Sequence, residues 1–218
     1  MGGQRRRGAS ETRRAQRGGA DILTTSCPSP ASLRAGIMPM SYKDVPAFVA
    51  ALREREGVAA LALVRHSHGD AVRGSHGRRW AEMDLNARVW TVPANRMKAG
   101  REHRVPLSER AVEIVKALGN AKTSDFVFPG TKVGKTLSVM ALEMVLRRMN
   151  TAVTVHGFRS SFRDWAGNET SYPREIAEQA LAHVIGDKAE QAYRRGDALE
   201  RRRELMQAWA RHLDVRRS

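Results

Sequence analysis

From Ser41 onward, apolar side chains return every third or fourth residue in one segment after another, and this period limits the fold more than any other property of the chain. Val45, Phe48, Val49 and Leu52 mark one helical face within residues 43–55, with Pro46 early in the run, where a helix tolerates it, and Gly57 beyond its end. Ala111, Val112, Val115 and Leu118 mark a second face, opened by Ser108 as a cap with Glu109 in the first turn and stopped at Gly119. Leu142, Val145, Leu146 and Met149 mark a third. Residues 156–169, 173–182, 187–195 and 198–213 read as further helices, parted by Asn, Pro or Gly. Against this background residues 87–93 and 103–107, rich in Val and Trp, read as two strands of a hairpin with its tip at 94–102, and Phe126 to Phe128 as a short strand. The pattern predicts a mainly α chain with a small antiparallel β-sheet, in the α+β class. Trp80, Trp90, Trp165 and Trp209 each lie in an apolar pattern and are expected in the core.

Two stretches escape the pattern. Residues 1–35 hold seven Arg against two acids, with almost no large apolar side chain before Ile22, so residues 1–40 are expected as a basic segment unable to order itself and 41–218 as the folded domain. Residues 65–79 read RHSHGDAVRGSHGRR, with three Gly, three His and no apolar period, and predict an aberrant loop. His66, His68 and His76 lack acids or cysteines at ligand spacing, and no metal site is expected there.

Charge narrows the function. Thirty-eight Lys and Arg against 23 Asp and Glu leave +15, which points to a polyanion, nucleic acid first. Cys27 is the only cysteine, so a disulfide-stapled secreted scaffold is excluded and a cytoplasmic location expected. No run approaches 18 apolar residues, and no membrane span is predicted. No phosphate-cradling Gly-x-x-x-x-Gly-Lys-Ser/Thr loop is found, so neither ATP nor another cofactor is expected.

The chemistry-bearing residues come in a fixed order. His156-Gly-Phe-Arg159 puts a histidine and an arginine three apart at a helix start, on one face, where free backbone N–H groups favour a phosphate. His183 ends the helix begun at Pro173, in Leu181-Ala182-His183, and Tyr193 lies beside Arg194 and Arg195. Lys98 sits near the hairpin tip in Met97-Lys98-Ala99-Gly100. In this order, and in the surrounding text of residues 89–108 and 156–197, the chain resembles the catalytic domain of tyrosine recombinases, the phage-integrase family.

The resemblance implies that Tyr193 is the nucleophile on a DNA phosphodiester, that Arg159 and His183 meet the charge on its non-bridging oxygens, that Lys98 protonates the departing 5′-oxygen, and that His156 assists proton transfer at the tyrosine. Double-stranded DNA carrying attachment sites is the implied partner, with a homo-oligomer forming on it. Arg101 and Arg104, beside Lys98 on the hairpin, are expected to touch phosphates.

One member of the family set is missing. Another arginine belongs on a buried helix shortly before Arg79-Trp80, where this chain has the aperiodic stretch, and Arg73 stands there in the wrong context. Permitted codons for Val64 to Arg78, read from the second base, can spell Phe-Val-Ile-Leu-Thr-Ala-Thr-Arg-Ser-Gly-Glu, a family-like helix, and a shifted frame over Ala20 to Arg34 likewise gives family-like text. A frame slip is therefore expected in the gene, which its nucleotide sequence tests. The family's preceding DNA-binding domains are also not found in the sequence. The reading is a truncated, degenerate catalytic domain with impaired strand cleavage. The alternative is a DNA-binding remnant that does not cut.

Overall fold

The computed structural model describes residues 39–55, 57, 62, 77–97, 100–183 and 198–214, all within one compact unit, Ile37–Ser218. Residues 1–38 of the expected basic segment 1–40, most of the aperiodic stretch with Arg73, His66, His68 and His76, and the expected helix 187–195 lie outside the described residues.

Six helices and one three-stranded antiparallel sheet are described. Helix α1 spans Val45–Arg53, with its proline in the first turn, and buries the four apolar residues of its stripe. The sheet follows, with β1 at Met83–Asp84, β2 at Val89–Val92 and β3 at His103–Pro106. Strand β2 is central, and the hairpin register runs from Val89 opposite Pro106 to Val92 opposite His103. Proline is tolerated in β3 because that strand is an edge.

Helix α2 spans Glu109–Gly119, and its Ser108 cap accepts a hydrogen bond from the Ala111 amide as the sequence predicts. Helices α3 (Val139–Arg148), α4 (Gly157–Glu169), α5 (Arg174–Ala180) and α6 (Leu199–Asp214) complete the set.

Four expectations need correction. Phe126 to Phe128 is not a strand: Phe126 makes a single bridge to Arg79, and Pro129 opens a turn closed by a bridge to Thr136, with the Gly130 amide donating to the Lys135 carbonyl and the Leu137 amide to the Phe128 carbonyl, both at 2.9 Å. Gly130 is required in that turn, since a Cβ there would stand 2.6 Å from the Thr136 carbonyl oxygen. The aperiodic stretch is ordered at its end, where the Arg78 carbonyl accepts from the Val127 amide and the buried Arg78 guanidinium stacks on Trp90 at 4.5 Å and Phe128 at 5.3 Å. The helix expected over 173–182 stops at Ala180. Trp80 is only half-buried, at the core's edge, whereas Trp90, Trp165 and Trp209 are inside.

The larger core joins α1, α4, α5 and α6 through Phe48, Phe158, Phe162, Trp165, Ile176, Leu205, Met206 and Trp209. A smaller one, Trp90, Val92, Val105, Leu107, Ala111 and Val112, welds the hairpin to α2. Polar threads bind α6 to both: the buried Arg202 donates from Nη1 to the Arg104 carbonyl at 2.7 Å, Arg203 donates to the Arg88 carbonyl at 3.1 Å, and the Glu109 amide donates to Gln207 Oε1 at 2.9 Å.

Candidate DNA-cleavage site

Helix α4 decides which side chains reach the site. Phe158, Phe162, Trp165 and Ala166 share one stripe and are buried, which turns Arg159 and Arg163, four residues apart, onto the neighbouring face along α5. His156 is exposed at the start of the same helix, one turn before Arg159. It does not cap the helix with its side chain; that role falls to Thr154, whose carbonyl and hydroxyl accept from the Gly157 amide at 2.9 and 3.1 Å. The Gly157 amide, expected to be open to a phosphate, is therefore already bonded within the chain.

The end of α5 delivers the second partner. The Ala182 amide bonds back to the Gln179 carbonyl at 3.0 Å and the His183 amide to the Glu178 carbonyl at 2.9 Å, while Ala182 adopts φ 54°. This paired 5→2 and 6→1 closure is a Schellman turn, and it brings the side chains of its first and last residues together. Those residues are Glu178 and His183, and the His183 Nδ1 is hydrogen-bonded to Glu178 Oε2.

Arg159 meets this turn from the other side. Its Nη2 donates to the Leu181 carbonyl at 2.7 Å and lies 2.6 Å from His183 Nε2. A guanidinium can only donate and an ionised carboxylate only accept, so a His183 ring that satisfies both carries its proton on Nδ1 and presents the Nε2 lone pair to Arg159.

Glu178 is buried and also takes Arg163 Nε at 2.9 Å and Arg174 Nε at 3.7 Å. Burial presses its carboxyl upward, but the His183 hydrogen bond and the charges of Arg163 and Arg174 outweigh it and hold the group below its ordinary value. Three arginines against one carboxylate leave the cluster at +2, a surplus suited to a phosphodiester.

Of the expected site residues, Arg159 and His183 are therefore brought together, with His156 on the same helix as Arg159. Arg101 is exposed just before β3 and Arg104 is exposed within it. Lys98 and Tyr193 lie outside the described residues. Among the described residues no group of His, Cys, Asp and Glu could hold a metal ion, and no helix is long and apolar enough to cross a membrane. Sequence reasoning missed Glu178, Arg163 and Arg174. The signal for Glu178 was its position five residues before His183 at a helix end, the spacing that a Schellman turn closes.

The chain is similar to known integrases. Prophage integrase IntA of Escherichia coli is 39% identical over 138 residues, covering 61% of this chain and 33% of the relative. Prophage integrase IntZ of the same species is 34% identical over 177 residues, covering 78% of this chain and 44% of the relative. The chain thus spans between a third and a half of the length of these relatives. The solved integrase from mycobacterium phage Brujita shares the fold, with a TM-score of 0.61 over 83% of this chain and 64% of that one at 18% identity. The profile of the phage integrase family matches residues 71–199, more than half of the 218, and the chain belongs to that family.

Proposed function

We propose that this domain breaks and rejoins DNA at specific sites through a 3′-phosphotyrosyl intermediate. In that reaction the Tyr193 phenolic oxygen attacks the phosphorus and the bond to the 5′-oxygen breaks. The Lys98 ammonium supplies the proton that the 5′-oxygen takes up, and His156 receives the phenolic proton. The bond energy stays in the phosphotyrosyl ester, so rejoining consumes no nucleotide. Arg159 and His183 donate to the non-bridging oxygens as charge grows there, each worth ~3 kcal/mol at the barrier by analogy with oxyanion donors. Arg101 and Arg104 hold the backbone without reading sequence. Attachment-site DNA is the substrate, and copies of the domain assemble on it.

The observation that carries this reading is the approach of Arg159 and His183, 24 residues apart in sequence, to 2.6 Å on a surface with a cationic surplus. Cleavage is weakened, on this proposal, because the sequence lacks the family's first arginine in its proper setting, with Arg73 as its nearest substitute.

The test is covalent trapping on a nicked suicide substrate. A weak SDS-resistant complex that Tyr193→Phe abolishes is expected. A complex formed as efficiently as that of an intact integrase overturns the impairment. DNA binding with no complex under any condition overturns catalysis and leaves the non-cutting remnant.

A further inference from the structure

Glu178 stands where nothing in the proposed chemistry requires a carboxylate, close to a site meant to attract an anion. It is buried and bonded to the one ring nitrogen of His183 that faces away from Arg159. A negative charge so near the cleavage site weakens its pull on phosphate, so its place there calls for a compensating role. Arg163 and Arg174 form ion pairs with the carboxylate from α4 and α5, which favours its ionised form. The Schellman turn fixes the backbone beneath both members of the pair.

We propose that Glu178 is a positioning residue for strand cleavage: by accepting from Nδ1–H it locks the His183 ring so that Nε2 is always the nitrogen presented to the phosphate. The proposal rests on the reading of His183 as a phosphate-facing group. A carboxylate behind an imidazole does the same for histidines that bind metals, where it fixes ring direction and tautomer. When a phosphate replaces Arg159 at Nε2, a proton taken up there from solvent lets the exposed His183 ring donate to it. The carboxylate on Nδ1 is the counterion that such an imidazolium needs.

The first measurement needs no variant. A two-bond proton–nitrogen correlation spectrum of the full chain, with His183 assigned by its loss in His183→Gln, should show Nδ1 protonated and Nε2 bare in the absence of DNA. A ring protonated on Nε2 alone overturns the proposal, and this holds even if the parent forms no covalent complex, an outcome that would instead sink the cleavage reading.

The second measurement is the rate of covalent complex formation. Glu178→Ala should slow it by roughly 10–100-fold, as loss of a histidine's supporting carboxylate does elsewhere, while DNA affinity is not reduced, because the substitution removes a negative charge. Glu178→Gln, whose amide oxygen can accept the same hydrogen bond, should recover most of the rate. Equal losses in Ala and Gln variants, or an Ala variant with the parent's rate and ring signature, would show Glu178 to be only an ion-pair strut between α4 and α5.

Discussion

Trp209 offers the sharpest check on how the core is held. Its ring is fully buried on α6, 4.9 Å from Trp165 and 5.7 Å from Phe162 on α4, and stacked on His212 at 5.2 Å. A buried aromatic of this size removes roughly 150–250 Å² from water, which at ~25 cal/mol per Å² gives an upper bound of about 4–6 kcal/mol. Truncations of this kind cost about 3–5 kcal/mol, because the surrounding helices close only part of the cavity. Trp209→Ala should therefore remove ~4 kcal/mol from a domain whose total is of the order of 5–15 kcal/mol. Guanidinium unfolding followed by far-UV circular dichroism measures this without relying on the other tryptophans. Trp80→Ala, at the half-buried edge of the core, should cost clearly less. A loss at Trp209 below ~1 kcal/mol with an unchanged denaturant slope would refute the packing argument.

The same titration tests three smaller claims. Ser108→Ala removes the acceptor for the Ala111 amide at a buried helix start and should cost about 1 kcal/mol; no change would mean the cap is replaced by another group. Ala182 holds a left-handed φ of 54°, so Ala182→Gly should be neutral or mildly stabilising and Ala182→Val should lose about 1–2 kcal/mol; a neutral Val variant would contradict the turn. Glu178 is held below its ordinary value, so its stabilisation is complete above the usual carboxylate range and fades as pH falls through the lowered folded-state value. Stability should accordingly drop on acidification below about pH 4 more steeply in the parent than in Glu178→Gln, and parallel curves would remove Glu178 from the acid-labile set.

The helical part of the fold was legible because each helix buries a stripe, and a stripe repeats in sequence whatever it packs against. Ser108 was legible as a cap because its role is local. Phe126 to Phe128 was misread because three apolar residues look alike in a strand and in a bridged turn, and the isolated bridges from Phe126 to Arg79 and from Pro129 to Thr136 are long-range pairings that leave no mark on apolar period. At the site, Arg159 and His183 could be named from the ordered set of motifs. Glu178 could not, since an acid on a short helix carries no mark of which cation or ring it will meet. Only the backbone reversal at Ala182 makes that choice, and alanine rarely signals a left-handed turn, a role more often given to glycine.

Arg202 has a consequence for how the molecule comes apart. Its guanidinium, carried by α6, is sealed inside while bonded to the main chain of β3, so α6 cannot lift away without leaving the Arg104 carbonyl unpartnered, and the hairpin cannot peel off without taking that acceptor from the Arg202 charge. Strand β3 and helix α6 therefore belong to one foldon despite nearly a hundred intervening residues, and their amides should exchange with solvent through a shared opening event rather than by separate fraying.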